Sequence, residues 1–550
     1  MKNINLKKSK GSFLIVLIIS AFIVFFMTSL KLFNLEKKIQ SISHLVNIDF
    51  LGMLIPILLN IQLLIIFITI IFTIYSFRKI IIKEIKTKYI FYLFLLFIII
   101  IGFYIRDHIH IYFQMRMDIF EYIVQGAEIF IDNKYTYIND PPGFANILSL
   151  VHEIIGLKPY NMLITNIFFG TMSILVMFIV VRLFFGLIPG LFASMLLSFS
   201  PLHIMASANG YPMATSVFLI LICFIFLKII NINKNIIYFI ALSSGLSYAA
   251  LIYHVEIIII IPIILYLYLS RKRISNFHLK IGLFILSYFI LILPFFLIQH
   301  STPEENSDSM GDSDGSLPCL WNKQRCGTFF NVHNLFRTKI DKIEERRVTL
   351  NNMTGNLPSY LSFLFLGHGS RARLGQSYNS YLDEFQPIST RIIYIILSII
   401  FFIPLIFSKL NKDHVLFIVT LYLFILEFSL LHNPIYLYAT YMLVLGIIPI
   451  TALGFNFLFD FISQRIGKKY RIIILLVLFL IPIIPFLIEP DIDLSPLSYT
   501  KFTMSNSHEY FWNLKKCGTP FDHLREICKK VPNILHTKSI SEKIISITTR

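Results

Sequence analysis

Long uninterrupted runs of Ile, Leu and Phe recur along the chain, without the two-residue alternation of a half-buried strand or the polar stripe of a soluble helix. Thirteen such runs fall at about 12–33, 51–76, 88–105, 161–183, 187–206, 211–230, 236–251, 254–270, 281–299, 391–408, 414–431, 436–458 and 471–489. Each approaches the ~20 residues that an α-helix needs to cross a bilayer. The pattern predicts an all-α polytopic membrane protein of about thirteen transmembrane helices. A barrel would need short alternating strands instead. Three hydrophilic stretches interrupt the runs and divide the chain. Its expected parts are N-terminal spans (1–105), an outer loop with juxtamembrane helices (106–160), central spans (161–299), a large outer loop (300–390), C-terminal spans (391–489) and an outer tail (490–550).

Charge supplies the orientation. Lys2, Lys7, Lys8 and Lys10 precede the first run, which is long and lacks a small-residue cleavage site, so it reads as a retained anchor. With that end cytoplasmic, Arg78–Lys88, Arg182, Lys228 with Lys234, Arg271–Arg273, Lys409 with Lys412, and Arg465 with Lys468–Lys469 all fall inside. The hinge of this count is the region 236–270, where two short spans meet near His254. The chain has 550 residues, 56% of them hydrophobic and 14% charged, and a net charge of +17. Its bases lie in short clusters between apolar runs, which suits membrane orientation and gives no sign of nucleic acid as a partner. Cys319 with Cys326 and Cys517 with Cys528 lie in the two large outer regions, where local disulfides fit an oxidising compartment.

The chemistry is expected in the first outer region. Asp118, Glu121 and Tyr122 are spaced to share one face of a helix, and Arg116 stands just before them. Asp140-Pro141-Pro142-Gly143 follows, and two prolines ahead of a glycine make a rigid turn at the membrane surface. Carboxylates beside a bilayer are costly, and those that occur are solvated, paired or functional.

An acidic helix, a Pro-Pro turn, and then paired spans interrupted by Ser200-Pro201-Leu202-His203 resemble the lipid-phosphate-sugar-dependent membrane glycosyltransferases of the GT-C fold. Within that fold the chain resembles the branch of the dolichyl-phosphate-mannose protein mannosyltransferases and aminoarabinose transferases. Ser207–Phe218, Gly245–Ala250 and Tyr438–Pro449 extend the likeness over roughly residues 90–460. The family usually has adjacent acids where this chain has Asp118-Ile119, a basic residue near the position of Thr440, and a charged residue where Asn209 stands. The resemblance implies transfer of a sugar from a polyprenyl-phosphate donor to a protein, lipid or glycan acceptor on the outer face of a bacterial plasma membrane. Such transfer needs a base for the acceptor proton and groups that stabilise the departing phosphate. Asp118 is the expected base, a role that partial desolvation of a carboxylate would favour. Glu121 and Asp140 are expected auxiliary acids, with Arg116, Tyr122, Arg371 and Arg373 as substrate contacts. No cofactor is expected, and a divalent cation is left open.

Other signals are weaker. His108 and His110 are two residues apart and do not share a helix face for a metal. The acids from Glu304 to Asp314 lack the spacing of a calcium loop. Gly367–Arg373 combines two glycines with two arginines and suits an anion-binding turn as well as a plain connector. His254 and Glu256 divide between a place in the lipid-carrier cleft and a local hydrogen bond. A transporter or flippase would need more mid-span charges than Glu256 and Glu427, and an internal repeat. A surface-polysaccharide polymerase or ligase would place its key Arg or His in a late outer loop, as Arg371 and Arg373 are placed.

Overall fold

In a bilayer every backbone N–H and C=O must find its partner within the segment, so continuous apolar sequence has the helix as its solution. A computed structural model describes residues 48–109, 117–135, 141–157, 161–208, 212–233, 235–253, 259–301, 388–407, 411–431 and 444–488. Among these residues all regular structure is helical, and six helices are long and apolar enough to cross a membrane. In chain order the helices are α1 (Ile48–Thr87), α2 (Tyr89–Ile109), α3 (Met117–Asp132), α4 (Pro142–Ile155), α5 (Asn161–Phe185), α6 (Leu187–Ser198), α7 (Pro201–Ala208) and α8 (Met213–Asn233). They continue with α9 (Ile236–Ile252), α10 (Ile260–Leu269), α11 (Phe277–Ser301), α12 (Ile388–Phe407), α13 (Lys412–Leu431), α14 (Val444–Ile466) and α15 (Arg471–Ile488).

Several boundaries differ from the sequence reading. The run expected to end near 76 continues to Thr87, because nothing between Ser76 and Thr87 breaks a helix. The added turns carry Lys, Ile and Glu, with a Glu84–Lys88 ion pair spaced one turn apart. The run at 187–206 is divided into α6 and α7 at Pro201, where a proline without an N–H opens the second helix. The helix expected to stop near 458 runs on to Ile466, keeping Phe459 and Ser463 buried on one side.

α5 lies at the centre, packed by α2, α6, α7 and α8. α9 joins α8 to α1 and α11, and α14 gathers α6, α12, α13 and α15. Several predicted basic clusters meet at one end of the bundle. There Arg182 pairs with Glu84, and Lys228 Nζ lies 2.8 Å from Asp413 Oδ2. Tyr266 donates to the other oxygen of Asp413 at 2.8 Å, and Lys412 donates to Ser270 Oγ at 2.8 Å. α3 and α4 belong to the opposite end.

Candidate functional site

α3 is amphipathic, with Tyr122, Ile123, Gln125, Gly126, Ala127, Glu128 and Ile129 all buried. α4 begins at a proline that needs no N–H partner, behind Pro141 in an extended conformation. It is buried continuously from Pro142 to Ser149. The two helices lie side by side in the same direction. The Tyr122 ring meets the Phe144 ring edge-on at 5.8 Å, and Phe130 meets His152 at 6.2 Å one end further on. Between these pairs Gly126 lets the backbones approach. A Cβ there would sit 2.8 Å from Leu148 Cβ and 3.3 Å from Ala145 O.

Polar bonds anchor this pair to the bundle. Tyr248 OH on α9 donates to Gly143 O at 3.0 Å, and Asn146 Nδ2 donates to Asn60 Oδ1 on α1 at 2.9 Å and to Tyr248 OH at 3.3 Å. Gly143 packs so close to α9 that a Cβ would lie 2.7 Å from Leu251 O. Beyond α3, Lys134 Nζ reaches Asp49 Oδ1 at 2.5 Å and Tyr135 N donates to Gly52 O at 2.9 Å, both on the first turns of α1. Chain on each side of the predicted turn is thus tied to spanning helices.

At the far end of α4, His152 is buried, with Nδ1 2.9 Å from Asn161 Nδ2. The same amide donates to Gly156 O at 2.7 Å. α4 is not among the helices long and apolar enough to cross a membrane, and burial pushes the His152 imidazole down to about 4, partly offset by the Gly156 backbone. His152 therefore stands neutral, as a link between α4 and the start of α5.

The expected site residues fall unevenly. Asp118 and Glu121 occupy the first turns of α3, and Tyr122 is in the seam with Phe144. Arg116, Asp140, Arg371 and Arg373 lie outside the described residues, as do His254, Glu256 and the four outer cysteines. Cys223 is buried, with Sγ 3.9 Å from Leu242 O. Gln125 was missed by the sequence reading. It stands seven residues after Asp118, on the same helix face, and is fully buried with neither amide atom bonded among the described residues. A buried amide left without partners costs about 1–3 kcal/mol, so such a group beside candidate acids is notable. Arg106 has no role in the sequence reading. Its guanidinium is fully buried and donates to Gly102 O at 2.7 Å, Leu197 O at 3.2 Å and Ser198 O at 3.3 Å. It thereby closes the C-terminal carbonyls of α6 where the chain breaks before α7.

Residues 139–298 match the family model of dolichyl-phosphate-mannose-protein mannosyltransferase. Over that stretch the chain resembles a family of membrane glycosyltransferases. The match begins just ahead of Pro141 and Pro142 and runs through α4 into α11, leaving α3 outside. No curated protein matches the chain. Among solved structures, ArnT from Cupriavidus metallidurans bound to undecaprenyl phosphate is 12% identical, with 66% of this chain and 59% of that one covered and a TM-score of 0.43. The Archaeoglobus fulgidus oligosaccharyltransferase AglB, in complex with an inhibitory peptide and a dolichol-phosphate, is 11% identical, with 82% and 60% covered and a TM-score of 0.47. The apo oligosaccharyltransferase from the same organism is 12% identical, with 81% and 60% covered and a TM-score of 0.48. The chain thus spans about three fifths of the length of these structures.

Proposed function

We propose that the chain is a glycosyltransferase that moves a sugar from a polyprenyl-phosphate donor to an acceptor at the membrane surface. The observation that carries this reading is where the mannosyltransferase match begins: just ahead of α4, the helix that packs along α3 with its candidate acids. Lipid carriers in two of the solved structures, an undecaprenyl phosphate and a dolichol-phosphate, support the donor class. In this reading Asp118 takes the acceptor's proton as the anomeric carbon is attacked, and Glu121 and Asp140 orient the acceptor. Arg116, Arg371 and Arg373 stabilise the departing phosphate, while Tyr122 holds the α3–α4 seam. Gln125 supplies a neutral hydrogen-bonding group further along the same face of α3. The site faces away from the cytoplasm across about thirteen spans, since the basic clusters hold the other end inside.

The test is donor choice. Purified protein in lipid vesicles is supplied with either a polyprenyl-phosphate monosaccharide or a polyprenyl-diphosphate oligosaccharide, each with membrane-extract acceptors. Transfer from the monophosphate donor is expected. Transfer from the diphosphate donor alone would replace this reading with that of a polysaccharide ligase.

A further inference from the structure

At the end of the bundle opposite α3 and α4, a cavity of about 290 Å³ opens between α12, α13 and α14. Pro404, Leu453, Phe457 and Phe461 form its apolar wall, while His414, Asn456, Asp460 and Gln464 supply the polar one. The α14 residues of this lining fall at positions 453, 456, 457, 460, 461 and 464, a single stripe in which an apolar ridge of Leu453, Phe457 and Phe461 runs beside a polar ridge of Asn456, Asp460 and Gln464. From Leu453 to Gln464 that stripe climbs about 16 Å along the helix, at 1.5 Å per residue. Both ridges run the length of the stripe, and its C-terminal end lies near the Lys468–Arg471 turn. The flank is unusually aromatic and open: Phe407 stacks on Phe457 at 6.0 Å, and Phe407, Phe457 and Phe461 are all exposed. This is the outline of an amphiphile, with its chain along the apolar ridge and its headgroup against the polar one.

The polar ridge also specifies charge. Asp460 accepts from Asn456 Nδ2 at 3.2 Å, and its other oxygen stands 3.5 Å from Arg471 Nη2. Both members of that ion pair are about half exposed, so water competes with it and a ligand can share either partner. His414 Nδ1 is engaged by Asn411, which leaves Nε2 as the ring nitrogen available to a ligand. A carboxylate and a guanidinium this close fit a headgroup that itself carries both signs.

We propose that this cavity binds a phospholipid with a primary-ammonium headgroup, of the phosphatidylethanolamine class. The ammonium donates to Asp460 and His414, the phosphate lies at Arg471 and Gln464, and an acyl chain follows Leu453, Phe457 and Phe407. A trimethylated ammonium has no N–H to donate, and an anionic glycerol headgroup meets the Asp460 carboxylate unfavourably. The proposal is independent of the glycosyl-transfer reading.

The test uses the full chain, delipidated in detergent and given back phosphatidylethanolamine, phosphatidylcholine or phosphatidylglycerol. Thermal melting and lipid retention by native mass spectrometry are the readouts. Phosphatidylethanolamine is expected to raise the melting midpoint by several degrees more than the other two, as a ligand that binds only the folded state must. Asp460→Asn, at a half-exposed position, is expected to fold and to lose that increment, while Arg465→Gln, outside the cavity, keeps it. Equal stabilisation by all three lipids, preference for phosphatidylglycerol, or an undiminished increment in Asp460→Asn would each overturn the proposal.

Discussion

His152 gives the site end a pH dependence that one residue can carry. Burial holds its folded value near 4, against an ordinary 6.5, so the fold prefers the neutral ring. Between those values the unfolded chain takes up a proton that the folded chain refuses, and stability falls as pH drops from 6.5 towards 4. At about 1.4 kcal/mol per pKa unit the full loss is about 3 kcal/mol. The melting midpoint in detergent should therefore fall across that window, and His152→Gln should remove this part of the fall. Identical pH profiles in both proteins would show that the ring is protonated without penalty. His152, Gln125 and Asn146 went unnoticed in the sequence for one physical reason. A single polar residue among apolar neighbours looks the same whether it faces lipid, packs on a helix or lines a site. Asp118 and Glu121 stood out because full charges beside a bilayer are rare enough to carry information.

At the scale of elements, the α3–α4 seam decides where the candidate acids sit. It is built from Tyr122 on Phe144, Phe130 on His152, and the close approach at Gly126. Gly126→Leu places four carbon atoms where a single added Cβ would already lie 2.8 Å from Leu148 Cβ. Overpacking of this kind typically costs about 1–3 kcal/mol. The expected result is faster proteolysis between Asp132 and Pro142 and a large loss of transfer, with the spanning helices intact by circular dichroism. Unchanged activity and protease resistance would mean that α3 is free to move without consequence. That α3 is a helix was legible from spacing, whereas Pro142 and Gly143, expected to make a surface turn, instead open α4 and are buried, because a proline at the first helical position needs no N–H partner. The parallel packing of α3 and α4 was not legible, because it is set by contacts with α1 and α9 that local sequence does not encode. The same limit applies to α1 and α14, whose helices outlast their apolar runs: hydropathy marks the bilayer and not the helix end, which for α14 comes at Gly467 with its positive φ.

The whole molecule has two unlike ends. One is held by Arg182 with Glu84 and by Lys228, Tyr266 and Asp413, where conserving the pairing matters because loss of one partner leaves a mostly buried charge alone. The other carries α3 and α4, tied to α1 and α9 by neutral hydrogen bonds and, just beyond α3, by the Lys134–Asp49 ion pair. This division was readable from charge alone, since the basic clusters recur after alternate apolar runs. How the helices pack between those ends was not, because uniformly apolar helices give no face to read. The central claim is that Asp118, on the helix beside the family-matched α4, performs the proton transfer. It is tested most directly by measuring sugar transfer from a polyprenyl-phosphate monosaccharide with wild-type protein and Asp118→Asn reconstituted at equal amounts. A general base contributes about 10²–10⁴-fold, so the variant should lose activity on that scale while still binding the donor. Transfer at the wild-type rate by Asp118→Asn would contradict the account.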